Sequence, residues 1–356
     1  MIVPWCKALL ASVLLIASLA HAETAPPVIR IGVPDLSTNA KPYAPGLLGI
    51  AHQRQQLEQA FAGTGTRIEW RFFRGAGPAI NEAFANGQLD FAALGDLAAI
   101  IGRASALDTR LLMGSRGTNL FLASTTQAAI HSVADLKGKR IALYRGTADH
   151  LSFDRVLASA GLSEKDVKII NLDWTAAIAA LLAGQVDATW SNVNLLKLRD
   201  HGIEINLSSK NLPLLATTQG GLIASQAFLS QYPQAAQRVV DQLVSDAAWI
   251  QQPGHYEQYL LEQEQASGIP AALAREESAG ADLRFRFSPR LDTFMGISFT
   301  QSIEQAKALG LIRRPFPVND WFAPQFVEAA LRQQSLLALW PDYDEYGKAI
   351  TAPAGS

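Results

Sequence analysis

From residue 28 onward the chain switches repeatedly between two hydrophobic periods. Within residues 67–73, Ile68, Trp70 and Phe72 alternate with Arg67, Glu69 and Arg71, which predicts a strand with one polar face. Residues 53–61 instead place Leu57, Ala60 and Phe61 at helical spacing. Residues 28–33 form an apolar run closed by Pro34 and read as a first strand. The same reading gives strands at 90–94, 110–113, 120–123, 140–144, 167–172, 186–190, 203–207 and 220–225. Helices are expected at 79–86, 97–106, 152–160, 175–182 and 193–201, and a long one opens at Pro233. Strands alternating with helices imply an α/β protein with open, largely parallel sheets covered by helices. No repeat recurs at a fixed period, and no linker is rich in Pro, Gly or Ser, so two domains would meet at tight hinges.

The N-terminal stretch has a different pattern. Lys7 precedes an apolar and small-residue run over 8–20, and Ala20-His21-Ala22 has the small-x-small form of a processing site. This order reads as a cleavable signal peptide over residues 1–22. The run is short for a membrane span, which needs about 20 apolar residues. Cys6 lies before the run and cannot be the acylated cysteine of a lipoprotein, which stands at the cleavage point. Removing 22 of the 356 residues leaves 334, without cysteine, and 29 basic residues facing 32 acidic ones. The reading is therefore of a soluble exported protein, suited to an oxidising compartment where no thiol can mispair. A chain this close to neutral offers no broad basic surface for nucleic acid. A length of 356 residues suggests two domains, and 49% hydrophobic composition is ordinary for a globular chain.

Two loops carry the candidate chemistry. Arg74-Gly75-Ala76-Gly77-Pro78 and Arg145-Gly146-Thr147-Ala148 each join a strand to a helix. Helix N-termini expose backbone N–H groups and partial positive charge, so each loop is a candidate anion site. Asp96 stands at the start of another helix as a candidate cap. Trp190 either walls a cleft or packs a core, and Asn192 beside it could donate hydrogen bonds. His150, near the second loop, is either a ligand contact or structural. No G-x-S-x-G, H-E-x-x-H or G-x-x-x-x-G-K-[ST] occurs. Asp342-Tyr343-Asp344 begins like a calcium loop, but the twelfth position is Pro353, so surface acids are the reading there.

These phrases have a recognisable order. Arg74-Gly75-Ala76-Gly77-Pro78 is followed by Gly87-Gln88-Leu89-Asp90 and Leu94-Gly95-Asp96. Ser132-Val133-Ala134-Asp135-Leu136-Lys137-Gly138-Lys139 follows, then Gly146-Thr147 and Gly184-Gln185-Val186-Asp187. The chain thereby resembles the periplasmic solute-binding proteins of ABC importers for aliphatic sulfonates, taurine and nitrate. The resemblance implies a type II periplasmic-binding-protein fold of two α/β lobes with a ligand cleft between them. Lobe 1 would be discontinuous, 28–122 and 223–340, lobe 2 would be 123–222, and 341–356 a C-terminal tail.

It also implies a monomeric periplasmic protein that binds a small organic oxyanion and docks on permease subunits in the inner membrane. No catalytic residue, cofactor or metal is expected. A sulfonate or sulfate ester would accept bonds at Gly75, Ala76 and Gly77, at the helix start of Asp96, and at Thr147 and Ala148. Arg74 and Arg145 would be charge partners. Trp190, Asn192 and Ser37, with the rest of 35–39, would meet the organic tail. Relatives often carry an acidic residue after the Trp190 strand, where this chain has Ser191-Asn192-Val193-Asn194. That departure argues against an amine-bearing ligand such as taurine. A binding protein for a neutral or aromatic nitrogen compound, such as a thiamine-precursor pyrimidine, and an enzyme on the same fold are the alternatives. A sensor subunit is equally compatible with the sequence.

Overall fold

The computed structural model describes residues 25–37 and 41–350. The signal-peptide reading over 1–22 lies outside the described residues. Ten strands form two separate five-stranded sheets. They are β1 (Val28–Pro34), β2 (Arg67–Phe73), β3 (Phe91–Gly95), β4 (Thr109–Thr118), β5 (Phe121–Thr125), β6 (Arg140–Leu143), β7 (Lys168–Asn171), β8 (Ala188–Ser191), β9 (Ile203–Ser208) and β10 (Thr218–Ser225). The first sheet has the order β2-β1-β3-β10-β4 and the second β7-β6-β8-β5-β9. In each, four strands share one direction and a single strand, β10 in the first and β5 in the second, runs antiparallel between two of them.

Helices cover these sheets. The first sheet carries α1 (Gly46–Gln53), α2 (Gln56–Ala60), α3 (Ala76–Ala85) and α4 (Asp96–Ala104). The second carries α5 (Ala148–Ser159) and α6 (Trp174–Leu182). The rest of the chain adds α7 (Gln226–Gln231), α8 (Pro233–Ile250), α9 (His255–Ser267), α10 (Ala271–Ser278), α11 (Leu283–Arg286), α12 (Thr293–Ala308) and α13 (Gln325–Gln333). One apolar cluster packs β1 and β10 against α1, α7, α8 and α13, and another packs the opposite face against α3, α4 and α12. Burying both faces is what an α/β sheet requires. Among the described residues no helix is long and apolar enough to cross a membrane.

The chain passes between the sheets twice, at Asn119-Leu120 and between β9 and β10. Divisions at 122/123 and 222/223 would cut β5 and β10, each of which lies wholly within one sheet. Local hydrophobicity marks a strand but not the sheet it joins, so those expected limits shift by several residues. The expected tail is also part of lobe 1 as far as residue 350. Its strands β11 (Asp342–Tyr343) and β12 (Ala349–Ile350) pair as a hairpin, and Tyr343 is buried edge-on against Phe285. Asp344 accepts from the Tyr346 and Lys348 N–H groups and so shapes the hairpin turn. Residues 193–201, expected as an α-helix, form a 3-10 stretch.

Candidate functional site

A cavity of about 370 Å³ lies between the two sheets. The starts of α3, α4 and α5 converge on it, bringing Ala76, Gly77, Gly95, Thr147 and Ala148 to its wall. The approach is close. A Cβ on Gly95 would lie 2.6 Å from the Ala148 Cβ, across the two lobes. A Cβ on Gly77 would lie 2.3 Å from the Ala98 Cβ and 3.6 Å from the Gly146 carbonyl. Glycine at these two positions is what lets the backbones meet. Ala76 has φ of 47°, a left-handed conformation rare for a residue with a side chain, and strain of this kind concentrates at functional sites.

None of these three helices has a side-chain bond from its N-cap residue. The N–H groups of Ala76, Gly77, Ala148 and Asp149 have no partner among the described residues. Thr147 stands at the cap position of α5, but its hydroxyl donates backward to the Tyr144 carbonyl at 2.7 Å. Several backbone donors and three helix dipoles thus face one space, a ready anion site.

The expected site residues divide. Ala76, Gly77, Thr147, Ala148 and Asn192 line the main cavity. Ser37 lines a smaller adjoining recess of about 50 Å³, shared with Asn192, Asn194 and Trp174. Gly75 precedes α3 without lining the cavity. The other four leave the site. Trp190 is 1% exposed in the core of lobe 2, beside Phe153, and its Nε1 donates to Ser152. Asp96 is buried away from the cavity, where one carboxylate oxygen accepts from its neighbour Leu97 and the other from Ser302, with Arg155 at 3.5 Å. Its place at the wall belongs to Gly95. Arg74 is 83% exposed, 3.6 Å from Asp35, and Arg145 is engaged by Glu164 at 2.6 Å. Each arginine has its own carboxylate, and neither lines the cavity.

His150 is structural too. Its Nδ1 accepts the Gly146 N–H at 3.2 Å, so the ring proton sits on Nε2 and is donated to Glu164. His150, Asp154 and Glu164 form a compact cluster of metal-ligating types. A metal on Nε2 would require Nδ1 to carry the proton, opposing the Gly146 N–H. The residues therefore suit a hydrogen-bonded ion cluster better than a metal.

Several lining residues carried no sequence signal. Asp149, in the first turn of α5, lines the cavity and accepts from Trp174 Nε1 at 2.9 Å and from the Ser191 hydroxyl at 2.8 Å. Burial pushes its carboxyl above the usual range. Arg116 and Arg286 also border the cavity, but Arg116 is held by Asp292 and Arg286 by Glu277. The remaining wall is largely apolar, with Leu36, Leu48, Leu94, Met113, Leu222 and Leu260. Only the spacing of residues 256–267 on one helical face could have pointed to α9 as part of it.

Comparison with known proteins agrees with this geometry. A model described as NMT1/THI5 like matches residues 73–252, just over half the chain. The chain belongs to the NMT1/THI5-like family. Among solved structures, a periplasmic sulfonate-binding protein, SsuA, assigned to a sulfonate ABC transporter of Methylobacillus flagellatus KT, is 31% identical. The likeness covers 89% of this chain and 97% of that one, with a TM-score of 0.75. The alkanesulfonate-binding protein SsuA of Xanthomonas axonopodis pv. citri, bound to MOPS, is 25% identical over 84% of this chain and 98% of that one, with a TM-score of 0.69. A protein assigned as an aliphatic sulfonates-binding protein in Escherichia coli (strain K12) is 31% identical over 188 residues, 51% of this chain. That alignment spans just over half, 54%, of the relative's own length. The NMT1/THI5-like chain thus has the two-lobed α/β fold of periplasmic binding proteins, and the similar chains named here are binding proteins.

Proposed function

We propose that this NMT1/THI5-like protein captures a small organic oxyanion, an aliphatic sulfonate or sulfate ester, and delivers it to an ABC importer. The observation that carries the reading is the convergence of three helix starts without N-cap side-chain bonds, drawn from both lobes, on one largely apolar cavity. Backbone N–H groups bind the anionic head at the helix starts, and apolar side chains receive its tail. The formal charge of the whole chain is −2, so capture depends on local dipoles rather than a broad positive field. Closure of the lobes about the two crossings would bring both sets of donors onto one head group. The protein would act as a periplasmic monomer that presents its closed form to permease subunits in the inner membrane.

The Asn192-Val193-Asn194 stretch that lines the cavity carries no acid to pair with an amine near the head, and Asp149 is engaged by Trp174 and Ser191. Titration calorimetry against alkanesulfonates, sulfate esters, taurine and nitrate tests the reading. Micromolar binding of an alkanesulfonate, with taurine weaker, is the expected result. No oxyanion binding below millimolar would sink it.

A further inference from the structure

The cavity has a second end, away from the helix starts. There α9 turns Tyr256, Tyr259, Leu260 and Gln263 toward it, at spacings of three and four residues. Gln263 is 6% exposed, and neither its Oε1 nor its Nε2 has a partner among the described residues. A buried amide left unpaired is unfavourable, and a leucine would fill the same volume without that penalty. The amide abuts α1, since a Cβ on Gly49 would lie 3.9 Å from Nε2.

Two hydroxyls accompany it. Tyr259 accepts the Gly46 N–H at 3.4 Å and donates to none of the described residues. Tyr43 is buried, lines the same cavity, and its hydroxyl bonds to none of the described residues. Burial raises both phenol pKa values, Tyr259 to about 12, so both are neutral donors. The charges nearby are already matched. Glu277 takes two bonds from Arg286 and one from the Asn119 N–H, and Arg116 bonds both oxygens of Asp292. This end of the cavity therefore offers uncharged donors and acceptors. The cavity follows β4 from Met113 to Thr118, roughly 17 Å at ~3.3 Å per residue, more than a two-carbon sulfonate fills.

We propose that the solute is an organosulfonate or sulfate ester whose apolar body ends in an uncharged hydrogen-bonding group, a hydroxyl or an amide, received by Gln263 with the Tyr43 and Tyr259 hydroxyls. The inference rests on the anion reading of the helix starts. The test is calorimetry on the full protein with matched pairs, n-alkanesulfonates of four to eight carbons and their ω-hydroxy and ω-carboxamide counterparts. Wild-type protein is compared with Gln263→Leu. At one or more lengths the polar-ended ligand binds the wild type about tenfold more tightly than its methyl-ended partner. Gln263→Leu abolishes that preference and melts at the same temperature or higher. Equal or tighter wild-type binding of methyl-ended ligands at every length overturns the proposal without needing the variant. So does a preference that survives Gln263→Leu. Binding without preference removes this inference alone, whereas no sulfonate binding removes the anion reading and this inference with it.

Discussion

Two helix starts at the cleft contrast with two capped starts elsewhere in the molecule. Away from the anion site, Ser225 caps α7 by accepting from Phe228 N–H, and Asp292 caps α12 by accepting from Met295 N–H. At the site, α3 and α5 begin at Gly75 and Thr147 with no such bond. A helix leaves its first N–H groups unpaired unless something caps them. At α7 and α12 a side chain closes the start, and at α8 Pro233 stands in the first turn, where it has no N–H to pair. At α3 and α5, which face the cavity, the donors stay open to a ligand. An open start alone is common in the molecule; what sets α3 and α5 apart is that their open donors converge on one cavity from both lobes.

Breaking a cap that also holds a charge should have the largest effect. Asp292 receives Arg116 through both oxygens, at 2.8 and 2.9 Å, and both side chains are fully buried. Asp292→Ala leaves a guanidinium unpaired in the core and should cost about 3–5 kcal/mol in chemical denaturation. Adding Arg116→Met should restore much of that loss. A single-variant loss under about 1 kcal/mol would show that Arg116 finds another partner.

The converse experiment gives a cleft helix the cap it lacks. Thr147→Asp places a strong N-cap residue on α5 and a carboxylate beside the anion site. Sulfonate affinity should fall by about 100-fold or more, near 2.7 kcal/mol, while the melting temperature holds or rises. Unchanged affinity in calorimetry would mean that α5 does not hold the anion.

Much of this contrast was legible in sequence, and some of it was not. The loops 74–78 and 145–148 announced two of the helix starts, because glycine after a strand and before a helix is a local signal. Trp190, Arg74 and Arg145 misled because residue type says nothing of direction. Trp190 ends a strand near the cleft yet points into the core, and each arginine turns to an acid distant in sequence or on a neighbouring loop. The two lobes also share a device that no fixed period reveals. Gly87-Gln88-Leu89-Asp90 and Gly184-Gln185-Val186-Asp187 each end in an aspartate that pins an arginine of a central strand, Arg30 and Arg140 respectively. The aspartates are 97 residues apart and the arginines 110, so insertions hide the repeat. The far wall on α9 left only its one-faced spacing over residues 256–267 in the sequence, because the folded chain alone brings that face to the cavity.

The buried acids of α5 sharpen the comparison through pH. Asp154 is 3% exposed, both its oxygens lack hydrogen-bond partners, and burial with the nearby Glu164 raises its pKa to about 7. An unfolded aspartate titrates near 3.9, so the folded state binds the extra proton between roughly pH 4 and 7. The acid is therefore harmless below about pH 4 and destabilises increasingly up to about pH 7. Asp154→Asn should stabilise by on the order of 2 kcal/mol at pH 8, with the gain vanishing toward pH 4. A gain independent of pH, measured by denaturation across that range, would contradict the titration.

The smallest effect isolates the ordinary cap. Ser225 ends β10 and its hydroxyl accepts the Phe228 N–H at 3.2 Å, while Phe228 is buried against Phe91. Ser225→Ala removes one capping bond and should cost about 1 kcal/mol. Unlike the α3 and α5 starts, this one lies outside the cavity wall, so sulfonate affinity should not move. Paired with Thr147→Asp, it gives opposite outcomes from two changes to a helix start: stability lost with binding kept, and binding lost with stability kept. If Ser225→Ala weakened binding as much as it weakened folding, the two kinds of helix start would not be separable, and the cleft donors would owe their role to lobe stability rather than to their missing caps.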